Sequence, residues 1–577
     1  MTTRTGAALV VRALEDEGIR LAFGIPGTHN IELYDALAES ETIRTVLITD
    51  EQSGGFMADA AWRVNGELAC LNIVPGAGLT HAMSGIAEAY LDGMALLVLG
   101  CGIRRDESAR AYQLHDVDQL AMVAPVCKGT FRPLTGEEIY PAIRQAAALA
   151  RAGTPGPVMV EIPVNLFLTT HHAGSLETVP APAAPLPEPA DLDRAVTLLT
   201  AAGARPLLYL GWGAAGAGDD LVRLAETLGA PVATTITGKG VFPESHPLFL
   251  WNGFGAAAPP FVRRVADDRT VTLAIGCRFS EVGTGSYSCR PPGALIHSDI
   301  NPEVFDRVEP AAVRLPGDAR LVVRALLESM SGRADRPDPE ATEAIATGRQ
   351  RLAEGRTGRP NPDRVTPHRL FAALAHRLGP DTVYSTDSGN GTFLAMESLL
   401  LDRPGRLIAP VDYSCMGYSV PAAIGAKLAR PDLPVVALPG DGAFLMTGLE
   451  LLTAANQGAA VAVFVLRDRE LAQIAQFQRT AMGRTPASRL PDYDVASLAE
   501  AVGIEWLRLD RDDDIEQAVE FAAQVTGAGR PVLIDTAIDY SEPTWFTKGV
   551  VRANLGRLPL KDRLRMIGRA VTRRLTS

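Results

Sequence analysis

The 577-residue chain lacks the features that mark several large protein classes. It has no surplus of positive charge: 55 Lys and Arg stand against 67 Asp and Glu, for a net charge of −12. That removes the electrostatic footprint of a nucleic-acid binder, and no nucleic-acid partner is expected. Its six cysteines (Cys70, Cys101, Cys127, Cys277, Cys289 and Cys415) are scattered, with no CxxC pair. They read as free thiols in a reducing compartment rather than as disulfides or zinc ligands. No apolar run approaches the ~20 residues of a membrane span, and Met1–Gly6 carries no apolar core of a signal peptide. A cytoplasmic protein is the expectation. No low-complexity tract and no short repeat appears along the chain.

What is present is an ordinary globular composition, 47% hydrophobic and 21% charged. The length exceeds one core, so roughly two to four domains are expected. Two composition shifts read as surface linkers: 173–192, rich in Pro, and 331–367, rich in Arg, Asp, Pro and Gly. They separate three blocks, 1–172, 193–330 and 366–540, followed by a tail, 541–577. In each block short apolar runs alternate with longer amphipathic segments, the pattern of parallel sheets with crossover helices. Strand-like runs fall at 21–24, 45–48, 68–74, 95–100 and 157–162, then at 206–211, 231–235 and 271–276.

The most informative motif is Gly440-Asp441-Gly442, with Asp468 following it at the end of Val463-Phe-Val-Leu-Arg467. The run 433–439 reads as a buried strand ending in a glycine turn, 443–457 as a helix, and 459–466 as a second buried strand. Two carboxylates thus sit past the ends of neighbouring parallel strands, where open α/β sheets bind ligands. Oxygen ligands there suit Mg²⁺, which keeps part of its shell for a phosphate. Read alone, either aspartate could equally be a helix cap or turn residue.

Five more segments, in order, accompany this motif: Phe23–Asn30, Asp50–Asp59, Tyr112-Gln113, Thr237–Pro243 and Cys415–Ala423. Together they resemble the thiamine diphosphate (ThDP)-dependent enzymes of the acetolactate synthase and benzaldehyde lyase group, over roughly residues 5–540. The resemblance implies an α/β fold of three doubly wound parallel-sheet domains. The first would bind the aminopyrimidine of ThDP, the third its diphosphate and Mg²⁺. The cofactor would lie between those two domains of different subunits, so a homodimer or homotetramer is implied.

Site residues carry over by position. Glu51 aligns with the family's activating glutamate. ThDP must lose a proton from its thiazolium carbon, and a carboxyl hydrogen-bonded to the pyrimidine nitrogen drives the tautomer shift that removes it. By itself Glu51 would read as a surface residue at a helix start. Asp441, Asp468 and the backbone carbonyl of Glu470 would hold the metal, and Pro26, Gly76, Met416, Gly440, Gly442 and Ala443 would contact the cofactor. Met416 would wedge under it, imposing its bent shape. The family usually has Asn where this chain has Asp468; Arg467 and Arg469 are candidates to offset the added charge. His29 matches a histidine of benzaldehyde lyase, and Gln113 an active-site glutamine of both enzymes. Both could hydrogen-bond the substrate carbonyl. Thr28, His81, Gln473, Ile474 and Phe477 would line the substrate pocket.

Several departures bear on the reaction. His81 replaces the usual Asn, and Phe477 stands where acetolactate synthases carry Trp. Ile474 stands where simple decarboxylases carry an acid, and their adjacent histidine pair has no counterpart; His171-His172 falls in the first linker. Small-molecule partners are therefore expected: a 2-oxo acid donor and a carbonyl acceptor. The alternatives are a 2-oxo-acid decarboxylase that releases an aldehyde, or a non-catalytic scaffold. In the central block, Thr234–Gly240 and Gly276–Gly283 resemble segments that wrap FAD. Ser280-Glu281-Val282 and Gly253–Ala258 depart from that pattern, so FAD is left open with its absence favoured. In the tail, Leu560, Leu564, Ile567 and Val571 share a helical face against Lys561, Arg563, Arg565, Arg569, Arg573 and Arg574. Such a helix can lie on a membrane, but packing across a subunit or over an active site is the preferred reading. Tyr540–Phe546 reads as part of a lid.

Overall fold

The computed structural model describes residues 3–172, 185–333, 335–356, 360–565 and 568–569. Its frame is three six-stranded sheets, each parallel throughout and flanked by helices. In the first, the strands lie side by side in the order Arg44–Leu47, Leu21–Gly24, Cys70–Ile73, Leu96–Gly102, Pro157–Pro163, Gly129–Phe131. In the second the order is Phe249–Asn252, Val232–Thr234, Pro206–Leu210, Val271–Ile275, Ala294–Asp299, Val313–Pro316. In the third it is Leu407–Ile408, Val383–Thr386, Val435–Leu438, Ala462–Arg467, Val532–Ala537, Glu505–Leu509. Strands covered on both faces are apolar along their whole length, and Leu96–Gly102 and Pro157–Pro163 are buried at every residue.

Each sheet starts near its middle, adds strands to one side, then crosses to the other. A crevice opens at that reversal, past the carboxyl ends of the two strands that flank it. It lies between Leu21–Gly24 and Cys70–Ile73 in the first sheet, and between Pro206–Leu210 and Val271–Ile275 in the second. In the third it lies between Val383–Thr386 and Val435–Leu438. The loops at these three points are Ile25–Asn30 with Val74–Gly78, Gly211–Gly213 with Gly276–Arg278, and Asp387–Asn390 with Gly440–Gly442.

The first and third sheets share one core, joined through the helices Glu51–Asn65 and Ser419–Ala429. Gly425 permits the close approach: a Cβ there would lie 2.2 Å from the Met57 carbonyl oxygen. At this junction the buried Arg63 guanidinium sits 2.7 Å from both Asp59 and Asp92. The Tyr418 hydroxyl donates to Asp59.

Three expectations change, and the tail is described only in part. The segment 331–367 is not only a connection, because Pro339–Gly355 is a helix. Its narrow apolar stripe, Ala341 and Ile345, buries against Phe261, while the rest of its surface is polar. Segment 443–457 is not one helix; a 3₁₀ turn at Gly448–Glu450 separates Asp441–Thr447 from Leu451–Gln457. There Glu450 is buried and accepts from the Thr49 N–H and hydroxyl at 3.1 and 2.8 Å, tying the turn to the first domain. His171-His172 is not free linker but an antiparallel strand, with Arg4 opposite His171. In the tail, a helix spans Trp545–Arg557, and residues 560–565 are helical as expected; Leu560 and Leu564 are exposed, and Ile567, Val571, Arg573 and Arg574 lie outside the described residues. Among the described residues no helix is long and apolar enough to cross a membrane, and the six cysteines are free.

Candidate active site

The first half-site grows from the crevice of the N-terminal sheet. Glu51 is the first residue of helix Glu51–Asn65, placed by the strand Arg44–Leu47 before it. Its side chain is buried, with Oε2 3.4 Å from His81 Nδ1. Gly78 lies against the other oxygen: a Cβ at Gly78 would sit 3.4 Å from Glu51 Oε1. Across the crevice, buried Asn30 holds the Ile25–Asn30 turn closed, accepting from the Gly27 N–H at 2.6 Å. The turn presents Pro26, Thr28 and His29; Thr28 Oγ1 and His29 Nδ1 are 3.2 Å apart. Burial, then the neighbouring His115, lowers the His29 pKa. The two imidazoles meet edge to face at 5.5 Å, and Gly76, in a left-handed conformation, backs onto His115. Gln113 is nearby in sequence but differently engaged: its amide donates to the Arg104 carbonyl at 2.9 Å and accepts from the Arg104 N–H at 3.0 Å.

The second half-site is a cavity of about 120 Å³ at the crevice of the third sheet, lined by Gly440, Asp441, Gly442, Asp468, Glu470 and Met416 among others. Asp441 is buried; its carboxylate accepts from the Gly442 and Arg469 N–H groups at 2.9 and 2.7 Å. Burial raises the Asp441 pKa. Burial and then the Asp441 charge raise Asp468 further, to about 7. Two carboxylates that disfavour each other's ionisation are a donor set that a divalent cation would satisfy. The Glu470 side chain turns away to Arg479 at 2.8 Å, which leaves its carbonyl as the available ligand. Gly440 faces open space where a Cβ would otherwise stand. The buried Asn390 Oδ1, in the same cavity, has no hydrogen-bond partner. The carboxylate donors and the open space fit a metal-bound diphosphate.

Met416 overhangs Gly442, its Cε 3.5 Å from where a Cβ there would lie. Two buried carboxylates that the sequence reading missed fix its loop. Glu88, in helix Ala77–Asp92, accepts from the Cys415 N–H at 3.0 Å. Asp387 accepts from Gly417 and Ser419 at 2.9 and 2.8 Å. Burial raises the Glu88 pKa and takes Asp387 to about 7. An acid within the apolar stretch Gly85–Ala89 was the signal available for Glu88. The bases expected to offset Asp468 point elsewhere. Arg467 pairs with Asp535 at 3.2 Å and Arg469 with Asp492 at 3.0 Å, and the cation that favours Asp468 ionisation is Arg364.

Gln473, Ile474 and Phe477 lie on the helix Ala472–Met482. Gln473 and Ile474 line the Asp441 cavity, and Tyr540 closes its far side. No residue of the Glu51 cluster lines that cavity. Within one chain the Glu51 cluster and the Asp441 cavity therefore do not share a lining.

A third cavity, about 620 Å³, occupies the crevice of the central sheet, with Gly211, Gly276, Arg278, Ser280 and Asp299 in its walls. Gly253–Ala258 lines none of it, and Glu281 and Val282 turn instead to an apolar cavity beside the Asp441 groove. Thr235, Thr237 and Gly276–Ser280 of the FAD-like segments thus line the cavity, while Glu281, Val282 and Gly253–Ala258 do not.

The sequence matches three family descriptions in chain order. Residues 4–122 match "Thiamine pyrophosphate enzyme, N-terminal TPP binding domain", residues 192–326 its central domain, and residues 387–536 its C-terminal TPP binding domain. The chain is 31% identical to the acetolactate synthase large subunit of Corynebacterium glutamicum, covering 94% of this chain and 88% of that one. It is 30% identical to the probable acetolactate synthase large subunit of Methanocaldococcus jannaschii, covering 93% and 92%. It is also 32% identical to the probable 2-ketoarginine decarboxylase of Pseudomonas aeruginosa, covering 87% and 89%. With these three matches in chain order over three parallel sheets, the chain belongs to the thiamine pyrophosphate enzyme family, in its acetolactate synthase-like group.

Proposed function

We propose that this enzyme decarboxylates a 2-oxo acid and joins the remaining acyl unit to a second carbonyl compound, at a ThDP- and Mg²⁺-dependent site shared between two copies of the chain. Bound thiamine diphosphate supplies a nucleophilic carbon and an electron sink for the loss of CO₂. Asp441, Asp468 and the Glu470 carbonyl hold the metal and through it the diphosphate; Gly440, Gly442 and Ala443 leave room for it. Met416 props the cofactor from below. Pro26 and Gly76 border the aminopyrimidine, where Glu51 holds the proton at the ring nitrogen, with His81 beside it. His29 and Gln113 hydrogen-bond the substrate oxygen as charge develops there; Gln113 exchanges its Arg104 contacts to do so. Thr28, Gln473 and Phe477 shape the substrate side.

The observation that carries the reaction type is Ile474. An alkyl side chain stands on the substrate side of the metal cavity, and it delivers no proton to release an aldehyde. Carbon–carbon bond formation then has the advantage. The shared site is supported by an exposed apolar stripe behind Asp441, where Leu445, Met446, Leu449 and Leu452 are 44–56% exposed. A stripe of this kind marks a surface that another chain covers. The three sequence blocks, 1–172, 193–330 and 366–540, serve as the aminopyrimidine, central and diphosphate domains. The decarboxylase reading stays in play through the Pseudomonas relative. Purified enzyme given ThDP, Mg²⁺ and a 2-oxo acid, with and without an acceptor aldehyde, decides between them. Ligated product should exceed free aldehyde; aldehyde as the main product of every donor, even with excess acceptor, selects the decarboxylase.

A further inference from the structure

Beside the Asp441 groove lies an apolar cavity of about 190 Å³. It shares Ser388, Gly389 and Gln473 with the groove, so the two are adjacent. Three parts of the chain build its walls: Ile236 and Val282 from the central domain, Phe393 and Phe477 from the third, and Phe546 and Val550 from the terminal helix Trp545–Arg557. Phe393 and Phe546 stack at 3.7 Å with their planes 7° apart. Phe546, the last residue of the segment expected to be part of a lid, is here one wall of the cavity. Thr544 caps its helix, and the Phe546 N–H donates to the Glu397 carboxylate at 3.2 Å. No Lys, Arg or His is among the residues lining the cavity. The charged one, Glu281, is exposed and accepts from the Ser286 hydroxyl at 3.4 Å.

This cavity is preformed, apolar and adjacent to the reacting centre. A methyl group would leave most of it to water, which gains little from aromatic and aliphatic walls. A dry apolar cavity of ~150 Å³ is large enough to take a benzene ring. Building on the function proposed above, the geometry points to a donor 2-oxo acid whose side chain is bulky, uncharged and apolar, aryl or branched alkyl. That side chain sits among Phe393, Phe477, Phe546 and Val550, with the 2-oxo carboxylate end toward Gln473. The competing occupant is a cationic side chain drawn by Glu281. It would leave its charge among mostly apolar walls, with neutral groups such as Ser388, Thr392 and Ser414 and one exposed carboxylate for partners, a poor exchange for hydration.

The holoenzyme, loaded with ThDP and Mg²⁺, tests this by CO₂ release from four donors: phenylpyruvate, 4-methyl-2-oxopentanoate, pyruvate and 5-guanidino-2-oxopentanoate. The first two should exceed pyruvate in kcat/KM by about tenfold or more, the scale set by added methylenes in an apolar pocket. Val550→Phe fills the cavity and should lower the phenylpyruvate-to-pyruvate ratio by about fivefold or more on the same scale. Val282→Phe fills it from the central-domain wall and serves if the first variant does not fold. A preference for pyruvate or for the guanidino acid overturns the assignment and leaves the carboligase reading standing. So does an unchanged ratio in a folded filling variant. CO₂ release from none of the four overturns both.

Discussion

Replacing Asp468 with Asn tests the metal pair through stability, with no need for substrate. In the metal-free protein, burial and the Asp441 charge raise Asp468 from 3.8 to about 7. The folded protein therefore keeps a proton there that the unfolded chain has already lost. That contribution to folding is fully present below the unfolded value of 3.8 and is lost as pH rises through about 7. At pH 8 the folded protein carries the unfavourable charge in full. The displacement sets a ceiling of roughly 4 kcal/mol at about 1.36 kcal/mol per pH unit. Asp468 is half-buried at the cavity wall, and water reaching it lowers the cost to about 1–2 kcal/mol. Asn removes the charge and keeps the shape. In chelator-treated protein at pH 8, Asp468→Asn should melt roughly 1–3 °C above the wild type, and near pH 4 the difference should close. Adding Mg²⁺ with ThDP should raise the wild-type melting temperature and erase the advantage of the variant. Differential scanning fluorimetry across pH, with and without metal, reads all three. Equal melting at pH 8, or a variant less stable than the wild type there, would refute the view of these carboxylates as an unsatisfied metal pair.

Four further outcomes follow. Glu51→Gln should keep ThDP affinity while the hydrogen–deuterium exchange of the bound thiazolium carbon slows by about 10²-fold or more; exchange as fast as in the wild type would remove Glu51 from its role. Glu88→Ala leaves the Cys415 N–H without its acceptor, at a cost of about 1–3 kcal/mol. Its effect on kcat should exceed that on the KM for the 2-oxo acid, because the loop carrying Met416 loosens; Glu88→Gln should restore most of the loss. His29→Ala should lower ligated product more than CO₂ release, and a proportional fall in both would show that His29 does not act on the acceptor. The absorbance spectrum of the purified enzyme should carry no flavin bands, and stoichiometric flavin would show that the central cavity takes FAD despite the rerouted segments.

The sequence was most legible where apolar runs are long and central. Leu21–Gly24, Leu96–Gly102 and Ala462–Arg467 announce themselves because both faces of each sheet are covered. Edge strands were harder: Gly129–Phe131 is half-exposed along its length, so no apolar run marks it. Helix Pro339–Gly355 hid inside a charged stretch because it buries only a narrow stripe. At the site, Glu51, Asp441, Asp468 and Met416 stand out through local motifs. Glu88 and Asp387 do not, since each binds main-chain N–H groups of a loop distant in sequence. The directions of Arg467 and Arg469 were equally hidden: Asp535 and Asp492, which claim them, can be identified only after the chain has folded.

The account rests on one claim above the others, that Glu51 of one subunit and Asp441 of another act on a single cofactor. Mixing two inactive variants tests it directly. Glu51→Gln and Asp441→Ala, each purified, should be nearly inactive alone. Dissociated together in equal amounts and reassociated with ThDP and Mg²⁺, they should recover roughly a quarter of wild-type activity. Random pairing makes about half of the dimers hybrid, and each hybrid has one intact site and one doubly broken site. No recovery, in hybrids whose formation is verified by native mass spectrometry, would mean that both residues act within one chain and would contradict the shared site.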